Sequence, residues 1–277
     1  MRPRQWSKNL LVFAGLLFAA KLGDAHRWLE AFAAFAAFCA GSSAAYLVND
    51  VLDAEADRRH PVKRYRPIAR GELSPPPAMA VAAVLAVSGL AVLVGFDPWS
   101  AAYLGGFLLL QAAYSLQLKH LVLVDVMAIG ALFVVRAAAG AQAVDVPISP
   151  WLLVCTALLA LFLALGKRRA ELVLAGAEET PARPVLEGYS LALVDQLVSV
   201  VAASAVIAYS LYTFTARDSH ALMATIPFVL FGIFRYLLLI HRHDLGEEPE
   251  NVLLTDLPIL FTVAAWAVTA GIILLET

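Results

Sequence analysis

Nine apolar stretches follow one another along the chain, at roughly 7–23, 30–50, 78–95, 99–116, 121–141, 151–167, 192–214, 221–241 and 256–275. A helix that crosses a bilayer needs about 17 to 25 consecutive, mostly apolar residues. A segment in hydrocarbon must also satisfy its own backbone hydrogen bonds, so runs of this length read as helices. Composition agrees: 61% of the 277 residues are hydrophobic and 15% charged, against roughly half and a quarter in soluble domains. The expected fold class is therefore an all-α polytopic membrane protein with nine transmembrane helices, forming one domain over residues 1–277. No cleavable signal peptide is evident. Cys39 and Cys155 lie inside apolar runs without metal-ligand spacing and read as small buried hydrophobes.

The intervals between the spans carry the chemistry. Residues 95–98 (GFDP) and 117–120 (QLKH) read as tight turns, whereas 51–77, 168–190 and 242–255 are longer connections rich in charge. With the N-terminus inside, the inner segments hold sixteen of the 20 Lys and Arg residues, counting Lys167 and Arg235 at helix ends. Lys21, Arg27 and Arg217 fall outside, and Arg136 lies within the fifth span. That asymmetry places the N-terminus in the cytoplasm; the expected location is a bacterial plasma (inner) membrane. Polar clusters then fall at the cytoplasmic ends of the even-numbered spans: Asn49 onward, Tyr114 to Lys119, Lys167 to Glu171, and Arg235 to Asp244. One face of the bundle is expected to carry the site.

The densest cluster is NDVLDAEADRRHPVKRYRPIARG, residues 49–71, with four acidic and seven basic or His residues. Charge pressed against a span is costly to keep there, which marks it as functional. On a continuous α-helix, Asp50, Asp53 and Asp57 share one stripe. Like charges at that spacing repel unless a cation compensates them. Hard oxygen ligands with an open coordination sphere suit Mg²⁺ completed by phosphate oxygens. Glu55 falls on another face and reads as solvated. The basic run that follows, HPVKRYRPIAR, would grip the remaining phosphate charge through Lys63 and Arg66, on a loop stiffened by Pro61 and Pro67. For Arg58, Arg59 and Arg70 a second reading stands equally: they satisfy the charge asymmetry or meet anionic lipid. His60 is not expected to be catalytic.

Asn49, Asp50, Asp53 and Asp57 match, position for position, the NDxxDxxxD motif at the end of helix two in the UbiA superfamily of intramembrane prenyltransferases, which this sequence resembles over its whole length. The resemblance implies a nine-helix bundle with a cytoplasmic-facing active site. It also implies metal ligation by Asn49, Asp50, Asp53 and Asp57, with the three aspartates catalytic through Mg²⁺. The superfamily usually carries a second acidic motif, DxxxD, after helix six. Here the sequence reads GKRRAEL, with Lys167, Arg168, Arg169 and the single acid Glu171. This departure, with RPRQWSKNLLVFA, YSLQLKHLVLVDV and the acid–base stretch, resembles the polyprenyl-phosphate phosphoribosyltransferase branch. That branch implies transfer of 5-phosphoribose from phosphoribosyl diphosphate to a polyprenyl (decaprenyl-type) phosphate.

Three anionic groups meet in such a reaction, and the sequence offers Lys8, Lys63, Arg66, Lys119, Lys167 and Arg168 to receive them. Asn49, Tyr114, Asp125 and Glu171 complete the expected substrate-binding set, Asp125 being a candidate for a ribose hydroxyl, the metal or Lys119. Tyr46, Tyr114 and Tyr189 suit either a pocket or a membrane interface. Trp6 reads as an interfacial anchor beside Lys8 and Asn9, Arg136 as a side chain that snorkels to the outer interface, and Arg235 and Asp256 as structural. The expected partners are phosphoribosyl diphosphate, a polyprenyl phosphate and the membrane, with no nucleic acid. Two alternatives remain: a prenyltransferase acting on an aromatic quinone or haem precursor, and a transporter, which would place ionisable residues near the bilayer midplane.

Overall fold

The computed structural model describes residues 3–18, 24–59, 63–177, 184–215, 219–242, 252 and 255–276. Lys21, His60, Pro61, Arg217 and Asp244 lie outside them. Among the described residues there is no strand. A 3-10 helix, Pro3–Phe13, leads into α1 (Ala14–Phe18), followed by α2 (Ala25–Leu52), α3 (Ala54–Arg59), α4 (Pro75–Phe96), α5 (Pro98–Leu116), α6 (Val124–Ala143), α7 (Pro150–Ala177), α8 (Leu191–Thr215), α9 (Ile226–Arg242) and α10 (Leu257–Glu276). Short 3-10 turns at Lys63–Tyr65, Leu118–His120, Pro184–Gly188 and Ala221–Thr225 join them.

Seven of these helical segments are long and apolar enough to cross a membrane: α2, α4, α6, α7, α8, the run from Ala221 through α9, and α10. The sequence suggested nine. The first stretch, of which residues 19–23 lie outside the described residues, starts as a 3-10 helix that passes into α1. The fourth, α5, is a 19-residue helix diluted by Ser100, Gln111 and Ser115. A further difference concerns α7, which continues to Ala177, so that Arg168, Arg169 and Glu171 lie on a helix and not in a connection.

The chain divides into two compact units, residues 1–121 with 132–148, and residues 122–131 with 149–277. In the first, Val12, Phe38, Leu93, Leu104, Phe107 and Leu132 form a buried core. A second cluster of Ala44, Leu47, Ile68, Ala78 and Ala82 fastens the loop after α3 to α2 and α4. Small residues let the backbones approach, as at helix contacts in lipid: a Cβ on Gly89 would stand 3.0 Å from the Ala37 carbonyl oxygen. Helix starts are capped by side chains. Asp24 accepts from the His26 and Arg27 amides, and Asp97 from those of Trp99 and Ser100, with Pro98 opening α5.

In the second unit Phe162, Leu165, Val194, Val198, Ile233, Tyr236 and Ile259 make one continuous core. Gly166 leaves room for the Tyr236 ring, whose hydroxyl oxygen would lie 2.9 Å from a Cβ placed there. Asp256 caps the start of this unit's last helix, accepting from the Ile259 amide at 3.0 Å, and pairs with Arg235 at 2.8 Å.

Candidate active site

The acid stretch is not one continuous helix. α2 ends at Leu52; Asp53 takes φ −93° and ψ 5°, and α3 restarts at Ala54. The i to i−4 pattern persists across the break, with the Asp53 amide donating to Asn49 O at 2.9 Å and the Asp57 amide to Asp53 O at 2.8 Å. Carboxylates spaced three and four apart destabilise a regular helix, and Asp favours the end of one. The expected single stripe accordingly separates into two pairs.

Arg66 gathers the first pair. Its Nη1 donates to Asp57 Oδ2 at 2.6 Å and to Asp50 Oδ1 at 3.2 Å. Lys119 serves the second, with Nζ 2.7 Å from Asp53 Oδ1, while Asn49 Nδ2 donates to Asp53 Oδ2 at 2.9 Å. Asp57 is buried, and Asp50, Asp53, Arg66 and Lys119 are half-buried. The loop presenting Arg66 is anchored by buried Ile68 and Ala69 and by Arg58 Nε, which donates to Ala69 O at 3.2 Å. That bond gives Arg58 a local structural task. Arg59 and Arg70 form exposed pairs with Glu55 and Glu72. Lys63 is half-buried at the start of its 3-10 turn, and Tyr114 is half-buried at the end of α5.

Lys8 is half-buried on the N-terminal 3-10 helix, next to a polar node that sequence reasoning did not foresee. Asn9, wholly buried, donates to Cys39 Sγ at 3.3 Å, and its Oδ1 accepts from Ser42 Oγ at 3.3 Å and Arg136 Nε at 2.8 Å. Arg136 also donates to Leu132 O and lies over the Phe107 ring, 4.5 Å from its centroid. It is only 4% exposed and does not snorkel. Arg136 stands well along α6, about 18 Å from the start of that helix at 1.5 Å per residue, and its guanidinium meets enclosed partners there. Trp6 donates from Nε1 to Ser43 Oγ at 3.2 Å.

The second unit holds its own charged cluster. Arg168, 1% exposed, pairs through Nε with Asp125 Oδ2 at 2.9 Å and through Nη1 with Glu171 Oε2. Asp125 is wholly buried and also accepts from the Tyr189 hydroxyl at 2.7 Å. That hydroxyl in turn accepts from the Leu123 amide at 2.7 Å. Leu123 has φ +67°, a left-handed conformation costly for a side chain with a Cβ, so Tyr189 clamps a strained entry into α6. Burial, reinforced by the Asp125 carboxylate, pushes the Tyr189 hydroxyl well above the usual phenol range. Arg169 is committed elsewhere, to Asp195 at 2.8 Å and Ile240 O at 2.7 Å. The basic triplet thus divides: Arg168 and Arg169 are enclosed by carboxylates and a carbonyl, and Lys167 remains half-buried on α7. The only advance signal for Asp195 was a lone carboxylate opening an apolar run, which needs a cation.

The donor set of Asn49, Asp50, Asp53 and Asp57 is entirely oxygen and suits Mg²⁺ chemically. One cationic nitrogen, Arg66 Nη1, already sits between two of its carboxylates. Among the described residues no three acidic, His or Cys side chains converge closely enough to hold a metal ion. The residues therefore fit the ion in kind, with their carboxylates engaged by Arg66 and Lys119.

Helices long and apolar enough to cross a membrane thus carry a carboxylate cluster with Lys and Arg counter-charges. The chain belongs to the UbiA prenyltransferase family, whose model matches residues 10–255. It is 37% identical over 279 residues to the decaprenyl-phosphate phosphoribosyltransferase of Mycobacterium tuberculosis, covering 98% of this chain and 91% of that one. It is 35% identical to the decaprenyl-phosphate phosphoribosyltransferase of Corynebacterium glutamicum, covering 96% and 82%. Its fold is similar to the solved structure of a UbiA homolog from Archaeoglobus fulgidus bound to GPP and Mg²⁺, with a TM-score of 0.74, 17% identity, and 100% and 98% of the two chains covered.

Proposed function

We propose that this protein transfers 5-phosphoribose from phosphoribosyl diphosphate to a decaprenyl-type polyprenyl phosphate, releasing diphosphate, as one UbiA-like domain over residues 1–277. The observation that carries the reading is the 37% identity to a decaprenyl-phosphate phosphoribosyltransferase over 98% of this chain. The basic GKRRAEL in place of a second acidic motif supports it. So does the supply of cations beside the first motif, where Arg66 and Lys119 already face the carboxylates.

In the reaction an oxygen of the acceptor phosphate forms a bond to the anomeric carbon as the bond from that carbon to the diphosphate breaks. The acceptor is already an anion near neutral pH, so no strong general base is needed, and the transition state is oxocarbenium-like as in other glycosyl transfers. Mg²⁺ bound by Asp50, Asp53 and Asp57, with Asn49 assisting, would neutralise charge developing on the departing diphosphate. We assign Arg66, Lys63 and Lys119 to the diphosphate, Lys8 and Lys167 to the remaining phosphates, and Tyr114 to substrate positioning. Asp125, Arg168 and Glu171 act as a buried brace that fixes the helix presenting Lys167. The nine apolar stretches support a nine-span bundle and the distribution of Lys and Arg supports a cytoplasmic N-terminus and site, which we place in a bacterial inner membrane.

Purified protein incubated with Mg²⁺, phosphoribosyl diphosphate and decaprenyl phosphate should form a phosphoribosylated lipid. Failure there, together with prenylation of an aromatic acceptor from a prenyl diphosphate, would establish the prenyltransferase alternative.

A further inference from the structure

All three carboxylates assigned to the metal are engaged by side-chain cations from elsewhere in the same unit. Arg66 Nη1 holds Asp57 at 2.6 Å and Asp50 at 3.2 Å, and Lys119 Nζ holds Asp53 at 2.7 Å. These are two of the three cations assigned above to the diphosphate. Metal and basic side chains therefore compete for one set of oxygens, and carboxylates and diphosphate compete for one set of cations.

Resting on the phosphoribosyl-transfer reading, we propose that Arg66 and Lys119 are exchangeable counter-ions that couple metal binding to donor binding. Each ligand alone meets a closed arrangement. A divalent cation entering alone must part Asp50 and Asp57 from Arg66, leaving a guanidinium beside it with nothing to neutralise. A diphosphate entering alone faces three carboxylates and cations already committed to them. When both arrive, the metal takes the carboxylates and the released Arg66 and Lys119 take the diphosphate, so every charge changes partner and none is stranded. A buried or half-buried charge left unpaired is what such a site cannot tolerate, so the joint state is favoured over either single one.

The local structure permits the exchange without refolding. The Arg66 backbone is fixed in a turn, its amide donating to Lys63 O at 3.0 Å and its carbonyl accepting from the Arg70 amide at 2.9 Å. Ile68 and Ala69 are buried immediately after it. Only the long side chain, half-buried, has to swing. Lys119 stands in the 3-10 turn Leu118–His120 on a similarly flexible stem. Asn49 keeps a hydrogen bond on Asp53 that does not depend on Lys119, so that carboxylate stays oriented when the ammonium leaves. Linkage requires reciprocity: whatever factor the donor adds to metal affinity, the metal adds to donor affinity.

The test reads metal binding itself. Mn²⁺ binding to the full-length protein in detergent is measured by electron paramagnetic resonance, alone, with inorganic diphosphate, and with phosphoribosyl diphosphate. Because solution complexes of Mn²⁺ are identical for all variants, the comparison between variants isolates the protein's contribution. Arg66→Gln should bind Mn²⁺ alone about fivefold or more tighter than wild type and should lose most of the gain that diphosphate gives wild type; a coupling of that size lies within the usual 5- to 150-fold range. Lys119→Gln should behave likewise, which keeps the test intact if Arg66→Gln does not fold, and Arg66→Lys should retain the coupling. A folded Arg66→Gln or Lys119→Gln protein that binds Mn²⁺ no tighter than wild type overturns the exchange and makes these residues fixed clamps. Coupling with inorganic diphosphate but none with phosphoribosyl diphosphate upholds the exchange and overturns the donor assignment.

Discussion

Gly140→Ala should destabilise the first unit and should do so through backbone, not side chain. An ideal Cβ at Gly140 would lie 2.6 Å from both the carbonyl carbon and the Cα of Val12, and nearer still to the Val12 oxygen. The approach is mutual, since a Cβ on Gly15 would lie 2.6 Å from Ala141 Cα and 2.8 Å from its amide nitrogen. Carbon atoms rest about 3.5–4.0 Å apart, so the N-terminal segment would have to retreat from α6 by roughly 1 Å. Overpacking of this kind costs about 1–3 kcal/mol, and the upper end applies because no flexible side chain can yield. The same retreat would stretch the 2.8 Å bond between Arg136 and Asn9 and open the packing around buried Cys39. The assay is thermal unfolding in one detergent, followed by a thiol-reactive dye. Gly105→Ala is the control: nothing lies within 4 Å of its added Cβ, and removing a helical Gly should gain about 0.5–1 kcal/mol. If Gly140→Ala melts at or above wild type, the close crossing is wrong.

Asp53→Asn should lower turnover by at least the 10- to 100-fold typical of damaged metal surroundings, measured at saturating Mg²⁺; full activity would remove Asp53 from the metal set. Lys167→Ala should raise KM for phosphoribosyl diphosphate with little change in melting temperature, while Arg169→Ala, which loses Asp195 and Ile240 O, should lower the melting temperature and leave KM unchanged. Acid should weaken the junction between α4 and α5. Burial pushes the Asp97 carboxyl up, but hydrogen bonds from Ser100, Trp99 and Gln142 outweigh it and hold it below its ordinary value. Its stabilisation is thus complete above about pH 3.9, the unfolded value, and is lost as pH falls through the lower folded one; unfolding of Asp97→Asn followed against pH should lack that component.

The helical class was legible because bilayer crossing imposes a length and a composition that nine stretches meet or approach. Turns at Asp97 and Leu118–His120 were legible for a similar reason: polar residues with Pro or Lys cannot extend an apolar helix into lipid. The acid motif was legible as residue types and spacing, but its partners Arg66 and Lys119 were not, because they come from elsewhere in the chain. Long-range pairings were the main loss. Nothing local in the sequence ties Arg136 to Asn9, or Tyr189 to the strained Leu123; both depend on which helices pack together. The partners of the basic triplet were hidden for the same reason, since adjacent Arg168 and Arg169 pair with different carboxylates once α7 is helical through Ala177.

The central claim is that a phosphoribosyl group, and not a phosphate or prenyl group, moves. It is tested most directly by supplying phosphoribosyl diphosphate labelled separately in the ribose carbons, the 5-phosphate and the β-phosphate, with decaprenyl phosphate and Mg²⁺. Ribose and 5-phosphate labels should enter the lipid in equal amounts while the β-phosphate label is released as diphosphate, with transfer at least about 10- to 100-fold slower in Asp53→Asn. β-Phosphate label in the lipid, or no label of any kind, would contradict it.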